Sequence, residues 1–507
     1  MSMKKSFIFT LLLLLSLTVF AQSYKIVDAE YDVKGNGFKF LGKTREFPLK
    51  SQFPLDKKTV FEDNAALEKY INNYKQTLIS SRSFDEVEVE YDATPSENPD
   101  IYNVVLKVFL QDSRHLIIMP YPKYSSNSGV SLKLKAKDSN FLGSLNTMNT
   151  EINLRYNKGD GFKPSFSFDF DYPFKMGPFN ATFINDYSIS YVLDDDNSGL
   201  EWDTKTGLSL SHSFGKVGIN FGFYQYTYKD IDYKDYGDEY YFKEAFNFGL
   251  GFTLATLPNF TTISYGPSFG VSYNWDPDGL NPANDGLATP EFSFSHGISN
   301  GKVTWNDKMR KGYNVSLGNS FSYNLQRKDL VPYASFDAQF FWNWQTNEDA
   351  VWNRLGLCTN FISFHYFNME SNSRNYGRSI GDYLRGILDD NYFGNSDSSG
   401  TASTAMILNL DLPVRVFTAY FPELPILSFD FQFSPFVDMA LVYNDQTKRW
   451  FAFEDGYYTA GIEALVYPLK WSSVTVRASI GVDLRRNIFV EGLKKNKEIF
   501  IGLGLQY

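Results

Sequence analysis

One segment of the chain combines charge, glycine and apolar side chains: Leu384-Arg385-Gly386-Ile387, within a polar, glycine- and serine-rich stretch from about Met369 to Thr404. Long surface loops are usually polar throughout, so apolar residues around an arginine indicate a loop that folds back against the protein. A buried guanidinium needs carboxylate partners, because an unpaired charge in a restricted interior is strongly destabilising. Gly386 would let the backbone approach a neighbouring wall closely. The chemistry that we expect from this segment is charge pairing inside the protein.

Acidic residues on the strands that follow this segment are the candidate partners of Arg385. Asp438 and Glu463 both fall on the polar side of a stretch in which apolar and polar residues alternate. Three further charged residues share that side: Asp430, Arg477 and Asp483. Each of these charges has an alternative interpretation as the lining of a wet barrel interior. We expect Arg385 to meet Asp438 and Glu463 inside the barrel.

Motifs for enzyme or metal chemistry are weak. Gly297-Ile298-Ser299-Asn300-Gly301 matches G-x-S-x-G, but it lies in a predicted hairpin without the following helix that a nucleophile elbow requires. Two acidic runs, Asp194 to Asp196 and Asp276 to Gly279, could hold calcium, although exposed acidic loops are more often only solvated. The single Cys358 and four scattered histidines offer no Cys/His metal cluster. We expect no enzyme activity, no cofactor and no metal.

Composition indicates a membrane barrel. The chain has 507 residues, of which 43% are hydrophobic and 21% charged, and this excludes a disordered protein. Aromatic residues make up 18%, with 47 Phe and 34 Tyr, which is typical of a barrel with aromatic girdles at both membrane faces. The mean hydropathy of -0.30 fits strands that alternate lipid-facing apolar residues with polar lumen residues. A net charge of -10 argues against nucleic acid as a partner.

Residues 1–21 have the pattern of a secretory signal peptide. Lys4 and Lys5 precede an apolar run from Ile8 to Leu15, and Ala21 ends a small-residue cleavage site. A retained membrane anchor is the less favoured alternative, because the apolar run is short. No later apolar stretch reaches the roughly 20 residues that a spanning helix needs, so any membrane span must consist of strands.

Residues 22–116 are typical of a small α+β domain. Ile26 to Val33 predicts a strand, and Asp63 is a candidate N-cap for the helix that follows. Phe84 to Tyr91 and Tyr102 to Leu110 predict two further strands joined by a turn. The helix has one apolar stripe, formed by Leu67, Ile71, Tyr74 and Leu78.

Residues 120–507 alternate in segments of about ten residues, separated by Asp, Asn and Gly turns. Pro120-Tyr121-Pro122 is interpreted as a linker before the first strand. The alternation is clearest from Val474 to Leu484 and from Ile499 to Tyr507. At about 24 residues per strand and turn, this length predicts about 16 strands. The expected fold class is all-β: an antiparallel transmembrane β-barrel preceded by the small α+β domain.

Four motifs carry a resemblance to a known family, the BamA/TamA superfamily of outer-membrane assembly factors. Leu384 to Ile387 resembles the V/I-R-G-F/Y motif of that family's sixth extracellular loop, and Phe436 to Met439 resembles its F-x-D-x-G strand. Asp138 to Gly143 is similar to an early barrel motif, and Ser83 to Val87 to the F-D-x-V signature of a POTRA domain. The chain departs from the family where Ile387 replaces an aromatic residue and Ala440 a glycine.

The resemblance implies insertion or translocation of proteins at the bacterial outer membrane, with a single POTRA-like domain in the periplasm. Expected partners are unfolded outer-membrane or secreted clients, the lipid bilayer, and periplasmic or lipoprotein accessory factors. A dedicated secretion pore for one partner and a passive porin-like channel are the alternatives.

The expected route is a lateral seam, where a first strand from about Gly129 to Lys137 meets Ile499 to Tyr507 and can template an incoming strand. Gly502 and Gly504 weaken the last strand, which ends at Tyr507. Lys133, Lys135 and Lys137 share one face of the first strand, which we expect to face the lumen.

Overall fold

The computed structural model describes residues 22–35, 42–98, 100–125, 129–157, 161–193, 198–230, 240–257, 261–281, 285–306, 308–344, 354–367, 376–386, 401–444, 447–470, 475–485, 488 and 497–503. The chain divides into two compact units, Met1–Ser113 and Arg114–Tyr507. Residues 1–21, the expected signal peptide, lie outside the described residues. Among those residues, no helix is long and apolar enough to cross a membrane.

The first unit is a four-stranded sheet with two helices. Its strands are β1 (Ser23–Lys34), β2 (Val60–Phe61), β3 (Phe84–Pro95) and β4 (Ile101–Asp112), in the order β2-β1-β4-β3, and its helices are α1 (Glu46–Gln52) and α2 (Asn64–Ser80). Helix α2 begins at the predicted N-cap, where the Asp63 side chain accepts a hydrogen bond of 2.7 Å from the Ala66 amide. Its predicted apolar stripe is buried, with Leu67 and Leu78 fully enclosed. Helix α1 and strand β2 were not predicted.

The second unit is a closed antiparallel barrel. Its strands before the long loop are β5 (Leu116–Ser125), β6 (Gly129–Asp138), β7 (Met148–Asn157), β8 (Gly161–Met176), β9 (Phe179–Val192), β10 (Gly199–Phe214), β11 (Val217–Lys229), β12 (Tyr240–Thr256), β13 (Thr262–Trp275), β14 (Glu291–Asn306), β15 (Met309–Asn324), β16 (Asp329–Trp344) and β17 (Leu355–Tyr366).

A two-stranded ribbon within the long loop, β18 (Arg378–Ser379) with β19 (Thr401–Ala402), stands apart from the barrel sheet. The barrel strands after it are β20 (Thr404–Asp411), β21 (Val414–Ala419), β22 (Phe429–Asn444), β23 (Arg449–Trp450), β24 (Tyr457–Pro468), β25 (Val476–Asp483) and β26 (Lys497–Leu503). We call the end with the 367–403 loop the loop end, and the end with short turns such as Gly177-Pro178 the turn end.

The barrel sheet contains twenty strands among the described residues, more than the expected number of about 16. Two of the additional strands are short. Strand β21 continues the line of β20 beyond Leu412 and Pro413, and β23 is a two-residue ribbon beside β22. The larger difference is β5, which lies where the sequence indicated a linker.

The first barrel strand is therefore β5, and the prediction that it is Gly129 to Lys137 is wrong. Strand β5 pairs with β6 in an unbroken register from Leu116 opposite Asp138 to Ser125 opposite Gly129. Pro120 and Pro122, interpreted as a linker, lie within this strand. Proline is tolerated at a sheet edge because the missing N–H can face away from the paired neighbour. Strand β6 lies between β5 and β7, one strand away from the junction with β26.

Polar side chains face the interior of the barrel and apolar side chains face outward, as a barrel embedded in lipid requires. On β22 the inward Asp438 is fully buried, whereas its neighbour Val437 is 48% exposed on the outer surface. Large apolar side chains are exposed around the barrel, among them Ile118, Leu132, Leu154, Phe183, Phe223, Phe269, Phe294, Leu317, Phe340, Met406 and Ile480. An apolar outer band with polar inward residues is the arrangement that lipid on one side and water on the other stabilises.

A charge placed on this band is expected to destabilise the barrel. Phe183→Arg, which replaces an outward side chain of β9 that is 42% exposed, should lower the free energy of unfolding in lipid vesicles by about 2–4 kcal/mol. The matched control is Ser188→Arg, on the opposite face of the same strand, which should change it by less than about 1 kcal/mol. Urea titration would measure both. Equal losses would show that Phe183 does not face lipid.

Candidate functional site

The described part of the long loop, residues 376–386, turns back into the barrel. A short 3-10 turn, Gly381–Tyr383, directs Leu384 and Arg385 inward, where they are only 3% and 4% exposed. Leu384 and Ile380 pack in an apolar cluster with buried side chains of four strands: Ile362, Phe364, Ala402, Ala405, Ile407, Ala440 and Val442. The loop is thus held by apolar contacts at the loop end of the barrel, as the residues around Arg385 predicted.

Arg385 binds Asp438 in a fork. Its Nε donates to Oδ2 at 2.9 Å, and its second terminal nitrogen donates to Oδ1 at 2.6 Å. The backbone amide of Arg385 also donates to Asp438 Oδ2, at 2.9 Å. Two parallel side-chain bonds fix the orientation of the guanidinium, which a lysine cannot reproduce. Asp438 of β22 is therefore the principal partner of the loop, and the structure brings this predicted pair together.

Two further carboxylates and an aromatic ring complete the surroundings of Arg385. Its remaining terminal nitrogen donates to Asp411 Oδ1 at 2.6 Å, and Glu463 Oε2 lies 3.8 Å from the same nitrogen. The ring of Phe436 lies beneath the guanidinium, 3.7 Å from the Cζ atom to the ring centroid. Glu463, the second predicted partner, is close enough for charge attraction but too far for a hydrogen bond. We call Arg385, Asp411, Asp438 and Glu463 the arginine clamp.

The Arg385 guanidinium remains protonated although it is buried. Burial on its own would lower the pKa of the guanidinium, but hydrogen bonds and charge attraction from Asp438 and Asp411 raise the pKa above its ordinary value. The loop arginine therefore remains a cation at every pH at which the protein folds. Its attraction to the clamp carboxylates does not depend on its own titration.

Gly386 brings the loop backbone against the last strands. It has a φ of +89°, and a Cβ added there would lie 2.6 Å from the carbonyl carbon of Gly481 on β25. The Gly386 amide donates to Glu498 Oε2 of β26 at 2.8 Å. A side chain at residue 386 would break this approach, which explains why glycine follows the arginine. The loop is thereby joined to the strand that ends the barrel.

The other predicted lumen charges lie near the clamp but do not all join it. Arg477 of β25 is 3.4 Å from Glu463 and stacks on Phe500 of β26 at 4.1 Å. Asp430 pairs instead with Arg415, 3.2 Å away. Asp483 is fully buried on the inward side of β25. The inward placement predicted for these residues is correct.

The residues predicted for the seam are distributed differently. Lys133 forms an ion pair with Glu151 of β7, and Lys135 lies opposite Glu151 in the register. Both lysines therefore lie at the β6–β7 pairing. Their assignment to the seam is wrong, because β5 separates them from β26. Gly502 lies on β26 opposite Arg477. Three predicted residues fall outside the described residues: Ile387, Gly504 and Tyr507.

Three clamp contacts were missed in the sequence. Asp411 is the last residue of β20, and its inward position follows from alternation with Asn409, whose side-chain amide donates to the Tyr383 carbonyl at 2.9 Å. Phe436 was recognised as part of the motif Phe436 to Met439, but its contact with Arg385 was not predicted. Glu498 lies in the charged run before β26, which carried no signal for a loop contact. Alternation along β20 would have identified Asp411.

Replacing Arg385 should weaken the barrel at the clamp. Arg385→Ala leaves Asp438 and Asp411 buried without their cation, so we expect a loss of about 3–5 kcal/mol in the free energy of unfolding. Arg385→Lys keeps the charge without the fork and should fall between this variant and the wild type. Lys107→Ala is the control, because it breaks an exposed ion pair with Asp92 in the first unit and should leave the stability of the barrel unchanged. Heat-modifiable migration in gels after urea treatment measures all three, and an unchanged Arg385→Ala profile would contradict the clamp.

Comparison with known proteins identifies the fold. No protein-family model matches the chain, and no curated protein does. Among solved structures, CdiB from Escherichia coli matches with a TM-score of 0.50 and 10% identity, covering 94% of this chain and 76% of that one. CdiB from Acinetobacter baumannii has a TM-score of 0.49 at 10% identity, covering 95% and 74%. BamA from Haemophilus ducreyi, lacking POTRA domains 1-3, has a TM-score of 0.36 at 12% identity, covering 93% and 84%.

At such low identity the likeness of the Escherichia coli protein concerns the fold alone. It extends over nearly the whole chain and includes the barrel that the motifs implied. The chain therefore shares the β-barrel fold of CdiB, and the barrel expected from the BamA/TamA resemblance is confirmed.

Proposed function

We propose that this protein inserts other proteins into the outer membrane, or translocates them across it, at the junction between β5 and β26. The observation that carries the proposal is the arginine clamp, which holds a long loop inside the barrel and joins it to the last strand. A passive porin needs an open lumen, whereas this loop lies in the lumen and is held there by ion pairs. A barrel that opens between two strands needs the strands on one side of the opening to be held in place.

The clamp unites the strands next to the junction into one body. Arg385 contacts Asp411 of β20, Asp438 of β22 and Glu463 of β24, while Gly386 contacts Glu498 of β26. These are charged contacts in a water-restricted interior, where they are stronger than on a surface. The last strand is thereby tied to the rigid side of the barrel, so that opening would occur at β5.

Strand β5 is suited to separation from its neighbour. Two prolines two residues apart, Pro120 and Pro122, remove N–H donors from the same edge of the strand. Because the register with β6 is unbroken, the edge without donors is the one that meets β26. An edge with few backbone bonds opens at low cost, and its remaining carbonyl groups can receive an incoming strand. The predicted seam is thus moved from β6 to β5.

The first unit fits a recruiting role. Its strand β3 is a sheet edge with acidic residues on the outward side, which suits the recruiting role that the POTRA-like motif implies. We place this domain in the periplasm, where unfolded outer-membrane clients and accessory factors would meet it. Clients would reach the bilayer through the junction.

A dedicated secretion pore is the second candidate. The inward faces of β8 and β9 carry Asp171 and Asp186, which are exposed rather than packed. A wet, acidic half of the lumen could pass an extended secreted chain along the axis. In that case the clamp would mark the closed side of the pore, and the β5–β26 junction would stay shut.

A tether across the junction separates these two candidates. In a Cys358→Ser background, Ile118→Cys of β5 would be combined in turn with Ile499→Cys and Ile501→Cys of β26 and bridged with a short thiol crosslinker. Insertion requires the junction to open, so the bridged protein should insert at least about tenfold less of an unfolded barrel client into vesicles.

The control tether joins Ile462→Cys to Ile480→Cys, which lie directly opposite each other on β24 and β25 and are both outward. It adds the same chemistry to strands that stay paired, and insertion should continue. Normal insertion by the β5–β26 tether would overturn the seam and favour the secretion pore.

A further inference from the structure

A hairpin from the turn end of the barrel leaves the wall and enters the lumen. Strands β14 and β15 pair with each other as far as Asn306 opposite Met309. Their outer neighbours stop earlier, since β13 pairs with β14 only up to Asn300 and β15 pairs with β16 only from Gly312. Residues 301–306 and 308–311 therefore form a projecting tip, which we call the inner hairpin.

Two glycines make the bend at the base of the inner hairpin. Gly312 has a φ of +125°, and a Cβ there would lie 2.0 Å from the Lys302 carbonyl oxygen. A Cβ at Gly301 would lie 2.4 Å from the Tyr313 carbonyl oxygen. No side chain fits at either position without moving the backbone, so the sequence allows the hairpin to turn inward where it leaves the wall.

The inner hairpin reaches the wall formed by β22 and β24. The side-chain amide of Gln432 on β22 donates to the Lys308 carbonyl oxygen at 3.0 Å, and the Trp305 ring meets the Tyr467 ring of β24 edge-on at 6.1 Å. Strands β16, β17, β20 and β21 lie between β15 and β22 around the barrel. A contact between strands so far apart is possible only across the lumen. Met309 at the tip is accordingly 6% exposed.

A small cavity, of about 30 Å³, separates the inner hairpin from the arginine clamp. Lys308 and Arg310 line it from the hairpin, and Cys358, Asp411 and Glu463 line it from the wall. Asp411 and Glu463 also belong to the clamp. Two segments that enter the lumen from opposite ends thus present cations to one set of carboxylates, with the loop above the cavity and the hairpin below it.

We propose that the inner hairpin is a gate, which blocks the lumen under the clamp and must detach from Gln432 and Tyr467 before anything passes there. Its contacts with these two residues are neutral, whereas Arg385 is held by charge pairs. In this proposal the tip of the hairpin moves away from β22 and β24, while the loop stays clamped. Once the tip has moved away, the cavity opens to the turn end and to water.

The rate at which Cys358 reacts with a thiol reagent reports whether this gate is open. Cys358 is the single cysteine in the sequence, lines the cavity and is 8% exposed. In purified protein in nanodiscs, a hydrophilic maleimide should label it slowly. The double variant Trp305→Ala/Gln432→Ala removes the two contacts of the hairpin with β22 and β24 described above and should speed labelling about tenfold, a ratio that corresponds to ~1.4 kcal/mol in favour of the open state.

The matched control is Gln225→Ala, which removes a glutamine that contacts Glu244 on β12, on another side of the barrel. Its labelling rate should equal that of the wild type. Heat-modifiable migration verifies that each variant is a folded barrel. An unchanged labelling rate in a folded Trp305→Ala/Gln432→Ala protein would overturn the gate.

Single-channel conductance gives a second, independent readout. Lys308→Cys and Gln432→Cys, in a Cys358→Ser background, would be joined with a short reducible linker. Conductance should fall when the linker is added and return when it is reduced; single-cysteine variants treated alike should not change. A conductance that stays unchanged when the linker is added would overturn the gate. Neither readout uses a client protein, so failure here would leave the proposed β5–β26 junction untouched.

Discussion

The interaction on which the rest of the barrel interior depends is the burial of one guanidinium among carboxylates. Arg385 enters a space where an unpaired cation would be strongly destabilised, and it is accepted because Asp438 binds it in a fork and Asp411 and Glu463 add charge. The carboxylates depend equally on the arginine, since they would repel one another without it. Loop and wall are therefore stable only together, which makes the loop part of the barrel interior.

This mutual dependence divides the lumen. The wall from β17 to β25 is packed, with apolar contacts to the loop at the loop end, the clamp below them, and the inner hairpin at the turn end. The wall around β8 and β9 retains exposed acidic residues. The packed side carries the strand that ends the barrel, and the strand that begins it bears two prolines. The rigid strands and the proline-containing strand thus meet at one junction, which is the arrangement that the proposed lateral opening requires.

The parts of this structure that could be predicted from the sequence are those set by local pattern. Alternation identified the barrel and the inward positions of Asp438 and Glu463, and helical spacing with an N-cap identified α2. The apolar residues around Arg385 indicated a folded-back loop, because they conflict with an exposed position. Asp411 could have been found in the same way, from its register with Asn409.

The remaining features depend on partners distant in sequence. Pro120 and Pro122 have the same local signature in a linker and in an edge strand, and only the pairing with β6 distinguishes the two. The inner hairpin also has an ordinary strand pattern. Its departure from the wall is decided by Gly301 and Gly312 against backbone atoms, and by the contact between Lys308 and Gln432, which are 124 residues apart.

The most direct test of the clamp is a double-mutant cycle between Arg385 and Asp438, with the free energy of unfolding measured by urea titration in lipid vesicles. Arg385→Ala, Asp438→Ala and the double variant are compared with the wild type. A shared buried ion pair predicts a double variant more stable than the sum of the two losses implies, with a coupling energy of about 2–3 kcal/mol. Losses that add to within about 0.5 kcal/mol would show that the two residues act independently and would contradict the clamp.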